Sequence, residues 1–247
     1  MVVIKSIDDL KRMRVSCGVA ARVRDQVADW IRPGVTTREI GDYAGELIRQ
    51  AGGTCAFLGY RGFPGNICVS LNEEVVHGIP GERRVELGDI VSLDIGVLLD
   101  GFFGDTATTV MVGVTDSNRV RLVRTAELAL KMGIESARCG KHLSDISHSI
   151  QKTVEAEGFT VVRDFVGHGI GRSLHEDPQV PNYGRPGKGP LLRAGMTLAI
   201  EPMVNMGKAT VRVMSDGWTV LTRDGMPSAH FEHTVAIGKD GPEILTI

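Results

Sequence analysis

A chain of 247 residues that is 42% hydrophobic has enough apolar mass for a large α/β domain with a substantial core. Its 28 basic residues stand against 30 acidic ones, and the resulting net charge of −2 excludes a nucleic-acid binder or membrane-surface protein at the level of total charge. The four cysteines, Cys17, Cys55, Cys68 and Cys139, are far apart with no C-x-x-C pair, which excludes a disulfide framework and a zinc ribbon and fits a reducing cytoplasm.

Residues 1–14 mix charged and apolar side chains without the apolar core of a signal peptide, and no run approaches the ~18 apolar residues of a membrane span. A soluble, unexported protein is expected. Ser6 opens a predicted helix, with Asp9 completing a capping box and Leu10, Met13, Cys17, Ala20, Val27 and Ile31 forming its apolar stripe up to Pro33-Gly34. Thr36 and Glu39 form a second box, at the head of a shorter helix that carries Ile40, Tyr43, Leu47 and Ile48 and closes at Gly52-Gly53.

The period then changes. Cys55 to Tyr60, Ile67 to Leu71 and Ile90 to Leu99 read as strands between glycine- and proline-rich turns. Asp94 interrupts a run otherwise apolar enough for a buried strand, and a carboxylate there must be paired or bound to metal. A salt-bridged core aspartate is the alternative on burial alone. Asp100-Gly101 supplies a turn, and Asp105 is expected to open the returning strand Thr106 to Val112, so two acids meet on one hairpin.

Two more helices are expected, from Ser117 to Arg138 and from Ser144 to Glu157. His142 and His148, which lie in the region of the second of these helices, read as surface or packing residues. A strand from Phe159 to Val166 leads to His168, the first of two histidines in the segment Gly167 to Pro178. That segment is too rich in glycine for a helix, and a turn holding His168 and His175 suits a site. The stretch Gly195 to Glu201 then repeats the form of Gly88 to Asp94, a glycine followed six residues later by an acid at the end of an apolar strand. A last hairpin region, with turns at Asp216-Gly217 and Asp224-Gly225, ends in the strand Phe231 to Ala236 that carries Glu232. The expectation is a single α+β catalytic domain over 1–247, built as two pseudo-symmetric halves whose antiparallel sheets face one another around the site, with helices outside.

Asp94, Asp105, His168, Glu201 and Glu232 form the unusual set. Four carboxylates sharing one pocket need neutralising, and two divalent cations with one neutral imidazole give the charge balance of a two-metal hydrolytic site. Carboxylate-rich ligation favours Mn²⁺ or Fe²⁺, with Zn²⁺ or Co²⁺ also accommodated.

The sequence resembles the type I methionine aminopeptidases, which have the pita-bread metallohydrolase fold. The resemblance spans essentially the whole chain and rests on Val76-His77-Gly78-Ile79-Pro80, on Asp94 with Asp100 to Thr106, on His168 to Pro178, on Met196 to Pro202 and on Phe231-Glu232-His233. It implies that Asp94 chelates one metal, that Asp105 and Glu232 bridge both, and that His168 and Glu201 complete the other metal's ligands, with a bridging water or hydroxide attacking the first peptide bond. It also implies an oxyanion donor in His175, a peptide-holding imidazole in His77 and a proton-carrying carboxylate in Glu201. Tyr60, Phe63, Cys68, Leu174 and Trp218 would line the pocket for the methionine side chain. Leu174 replaces a more usual phenylalanine there, and Phe63 a frequent tyrosine. The implied substrates are nascent proteins and peptides with an N-terminal methionine and a small second residue. A cytoplasmic monomer is expected, with no membrane contact; Arg83 and Arg84 read as a solvated turn, with transient ribosome contact through them as the alternative. The rival readings are an Xaa-Pro aminopeptidase or prolidase and a non-catalytic binding protein of the same fold. His233, on the alternate face of its strand, is read as packing.

Overall fold

The computed structural model describes residues 2–247. Helices α1 (Ile7–Trp30) and α2 (Thr37–Gln50) begin at the expected caps, and both capping boxes are closed. Ser6 Oγ accepts from the Asp9 amide at 3.1 Å while the Ser6 amide donates to Asp9 Oδ2 at 3.0 Å, satisfying donors that a helix start otherwise leaves orphaned.

Strands β1 (Thr54–Cys55), β2 (Cys68–Leu71), β3 (Glu74–Val76), β4 (Ile90–Leu99) and β5 (Phe102–Met111) follow. The helices α3 (Ser117–Ser136) and α4 (Leu143–Ala156) come next, and the second half continues with β6 (Thr160–Val161), β7 (Gly167–Gly169), β8 (Glu176–Val180), β9 (Thr197–Ile200) and β10 (Met203–Asn205). The chain ends with β11 (Val211–Val213), β12 (Val220–Thr222), β13 (Ser228–His230), β14 (Glu232–Ile237) and β15 (Pro242–Ile244).

The two halves share one nine-stranded sheet instead of forming two facing sheets. Its path is β1-β4-β5-β14-β9-β7-β8, with β2 added beside β4 and β15 beside β14. The hairpin β4-β5 of the first half lies next to the pair β14-β9 of the second, and the halves join where Glu232 pairs with Ala107 and His233 with Thr106. The smaller sheets are β13-β10-β6 and β11-β12-β3.

Strand β4 shows how the site is positioned. Its odd-numbered residues Val91, Leu93, Ile95 and Val97 are buried with Val23, Val27, Ile40 and Ile48 of α1 and α2. The even-numbered residues, Asp94 among them, therefore project from the opposite face. In the second half, Leu122 and Leu130 of α3 with Ile146 and Ile150 of α4 pack with Leu198, Ile200 and Val235. Burial of each such side chain stabilises the fold by roughly 1.5–3 kcal/mol, so the helices hold the sheet from behind and leave its other face for chemistry.

Four local expectations are corrected. After Cys55 the chain leaves the sheet and forms a 3₁₀ turn at Tyr60–Gly62, because Gly59 (φ 80°) takes a left-handed conformation that breaks an extended run. Asp105 stands inside β5 and does not open it, since Asp100 (φ 51°) and Gly101 (φ 76°) make a two-residue turn and pairing starts at once with Leu99 opposite Phe102. Of Phe159 to Val166, only Thr160–Val161 pairs as a strand, with Val204 and Asn205. His168 lies on a strand, between β9 and β8, with a register shift between His168 and Gly169, and Pro178 sits on the edge strand β8 where a missing N–H is tolerated.

Candidate metal centre

The sheet brings the five unusual residues together from neighbouring strands. Ala107 of β5 lies opposite Asp94 on one side and Glu232 on the other, so those two acids flank a small side chain in one row. Asp105 is two residues along β5 and therefore on the same face. Ala199 of β9 pairs with both His168 and Thr234, which places His168 on that face too, and Glu201 follows two residues after Ala199. Ligand atoms of Asp105, His168 and Glu232 lie within 4.8 Å of one another, a grouping that could hold a metal ion. Asp94 and Glu201 border the same cavity of about 150 Å³.

These side chains fit cations. Asp94 Oδ1, Asp105 Oδ1 and Glu232 Oε1 are buried without a hydrogen-bond partner, which is costly for carboxylates unless something positive meets them. His168 Nδ1 is 2.9 Å from the Gly169 carbonyl oxygen, so Nδ1–H donates there and the Nε2 lone pair faces Glu201 Oε1 at 3.5 Å. Burial, then the charge of His175, lowers the His168 pKa to about 3, and the ring is neutral at working pH.

Burial raises the Asp94 pKa to about 7. Burial and the neighbouring acids also hold Asp105, Glu201 and Glu232 well above the ordinary carboxylate range. Without metal the cluster therefore retains protons that a cation must displace, and apparent metal affinity should rise with pH through the neutral range. Calorimetric titration in buffers of different ionisation enthalpy should show protons released on metal binding at pH 6. No proton release there would mean that the carboxylates bind as preformed anions.

Every other predicted residue borders the same cavity. His77 follows β3 with φ 59° and stands edge-on to Phe165 and Trp218, its pKa lowered to about 4 by burial and then by His175. The next residue must be glycine, since a Cβ at Gly78 would lie 2.2 Å from the Val69 carbonyl oxygen. Tyr60 Oη is 2.9 Å from His175 Nδ1, which leaves Nε2 of His175 as the nitrogen available to the cavity. Phe63 and Trp218 meet edge to face at 5.2 Å, and Leu174 and Cys68 are buried. Cys68 stands opposite Asp94, and burial followed by the charges of Asp94, Asp105 and Glu232 keeps its thiol protonated and part of the apolar wall.

The sequence reading missed His230, which is 2% exposed. Its Nε2 has no hydrogen-bond partner and lies 3.8 Å from Glu201 Oε2. The period-2 distance to Glu232 was the available signal. Phe57 and Arg61 also line the cavity unpredicted. His233 faces away, with Nδ1 2.8 Å from Thr246 Oγ1, and His142 stands outside the site at the N-cap of α4, a capping position that the surface-or-packing reading did not anticipate. Arg83 pairs with Glu73 and Glu74, and Arg84 donates to the Gly34 carbonyl oxygen.

Residues 11–239 match the model of metallopeptidase family M24, so the fold and its buried acids belong to a chain of that family. Within it the chain belongs with the methionine aminopeptidases. It is 50% identical to the methionine aminopeptidase of Clostridium perfringens (100% of this chain, 99% of the relative) and 48% identical to methionine aminopeptidase 1 of Bacillus subtilis at the same coverage. The crystal structure of the methionine aminopeptidase from Thermotoga maritima superposes with a TM-score of 0.98 at 47% identity, covering 100% of this chain and 99% of that one. The prolidase of Pyrococcus furiosus, at 20% identity and a TM-score of 0.79, shares the pita-bread fold.

Proposed function

We propose that this chain removes methionine from the N-terminus of proteins and peptides with a small second residue by metal-dependent hydrolysis of the first peptide bond. The observation that carries the reading is the convergence of two buried and two partly buried carboxylates and a neutral imidazole on one face of the sheet, in a cavity whose remaining wall is largely apolar. A volume of about 150 Å³ is far below the 300–1,000 Å³ of a drug-sized ligand site and suits one side chain.

In this reading Asp94, Asp105, His168, Glu201 and Glu232 would hold the divalent ions, and Mn²⁺, Fe²⁺, Co²⁺ and Zn²⁺ would all suit such donors. Bound ions would supply Lewis acidity and lower the pKa of water at the site. Glu201 is the carboxylate that would take the attacking water's proton and deliver it to the leaving amine. His175 donates to the carbonyl oxygen as it gains charge, and His77 holds the peptide. Tyr60, Phe63, Cys68, Leu174 and Trp218 enclose the thioether.

The whole of 1–247 acts as one catalytic domain in this reading, as a cytoplasmic monomer that meets nascent chains at the ribosome. Any ribosome contact at Arg83 and Arg84 would compete with the partners already holding those guanidinium groups. Among the described residues no helix is long and apolar enough to cross a membrane. A peptide panel tests the substrate: Met-Ala-Ser should be cleaved and Ala-Pro left intact. Preference for Ala-Pro would favour a prolidase-like hydrolase, and binding of metal without cleavage of either would favour the non-catalytic reading.

A further inference from the structure

We propose that Glu176 and Lys5 form a buried positioning pair that sets the backbone carrying His175, an inference that rests on the oxyanion role given to that histidine above. Neither residue touches the cavity, and both are nearly inaccessible, with side-chain exposures of 10% for Glu176 and 3% for Lys5.

The Glu176 carboxylate ties three points together. Its Oε2 is 2.5 Å from Lys5 Nζ, and its Oε1 accepts from the backbone amides of Arg172 at 2.8 Å and Ser173 at 3.2 Å. Those amides lie directly before Leu174 and His175, so one side chain folds the segment between β7 and β8 back onto itself. Lys5 is itself fixed from elsewhere, because its amide donates to the Gly195 carbonyl oxygen at 2.8 Å. Its stem passes beneath Gly171, where a Cβ would lie 2.5 Å from Lys5 Cε and 2.8 Å from Glu176 Oε1. The outer edge of the segment is pinned as well: the Phe103 amide donates to the Gly171 carbonyl oxygen at 2.8 Å, and the Arg172 guanidinium donates to Asp9 Oδ1 at 2.9 Å.

A buried ion pair contributes little net stability compared with well-packed apolar side chains of the same volume, so the consequence of this one lies in the three contacts by which it holds the segment. Geometry is what an oxyanion donor needs. The far side of the His175 ring is held by Tyr60 through Nδ1, so the remaining freedom lies in the backbone, and that is where Glu176 and Lys5 act. A displacement of about 1 Å at such a donor lowers turnover on the order of 10²-fold.

The test uses the metal-loaded full chain with Met-Ala-Ser and compares Glu176→Gln, Lys5→Met, the two combined, His175→Ala, and His175→Ala with Glu176→Gln. Glutamine keeps an oxygen for the two amides but sets an amide nitrogen against the ammonium, and the combined variant guards against misfolding caused by a lone buried charge. Glu176→Gln should lower kcat by about 10²-fold with KM and bound metal unchanged. In the His175→Ala background it should have no further effect, because Glu176 acts through the missing imidazole. A full additional loss in that background, or loss of metal in Glu176→Gln, would overturn the pair as a positioning device and leave a structural role. Normal kcat in Glu176→Gln beside a crippled His175→Ala would also overturn it. Full turnover in His175→Ala itself would instead remove the oxyanion role, and the pair's function with it.

Discussion

Asp105→Asn and Glu232→Gln should each abolish hydrolysis of Met-Ala-Ser while leaving the fold intact. These acids stand on β5 and β14, the two strands at which the halves meet, and each has a buried oxygen with no protein partner. In the proposed ligand set an amide would offer one neutral oxygen where a cation site calls for an anionic pair. Losing several kcal/mol of charge stabilisation corresponds to a fall in turnover on the order of 10³-fold or more. Metal content should drop in parallel. Stability supplies the control: both carboxyls are raised by burial and by neighbouring acids, so in metal-free protein at neutral pH they oppose folding. That repulsion is absent below the ordinary carboxylate range and grows as pH rises toward the folded-state values. The metal-free variants should therefore melt no lower than the metal-free parent at pH 7. Variants that keep two metals and full turnover would overturn the ligand assignment.

The second large effect separates two histidines whose rings lie 4.2 Å apart. His175→Ala should keep its metals and lose ~10²–10³-fold in turnover, the scale for removing one oxyanion donor. The loss should fall on kcat, because that hydrogen bond strengthens only as the carbonyl becomes tetrahedral. His168→Ala should lose metal affinity together with turnover, since its Nε2 faces the carboxylates and its Nδ1 is already committed to the Gly169 carbonyl oxygen. General misfolding would damage both variants alike. Elemental analysis beside steady-state kinetics distinguishes the cases, and metal loss in His175→Ala with intact metal in His168→Ala would mean that the roles are exchanged.

Much of this was legible in the residues themselves. Capping boxes at Ser6 and Thr36 are local, depending on side chains three residues apart, and both helices start where the boxes place them. Asp94 was conspicuous because an acid inside a doubly buried strand has few explanations, and the repeat of its pattern at Glu201 revealed the two halves. What short-range patterns could not supply was the pairing between halves. Whether the strands of Asp105 and Glu232 belong to one sheet or two depends on contacts more than a hundred residues apart, and the single continuous sheet emerged only in the structure. The strand at His168 was hidden because glycine on both sides suppresses strand propensity, and its partners β8 and β9 make it extended. His230 escaped for a related reason: its significance lies in where Glu201 arrives from another strand.

Metal-dependent removal of methionine is tested most directly by stripping the protein with a chelator, then titrating Mn²⁺, Co²⁺ or Fe²⁺ while counting bound ions and released methionine from Met-Ala-Ser. Stripped protein should be silent, and activity should return with the ions and saturate by two per chain. Undiminished release of methionine from protein shown to hold no metal would contradict it.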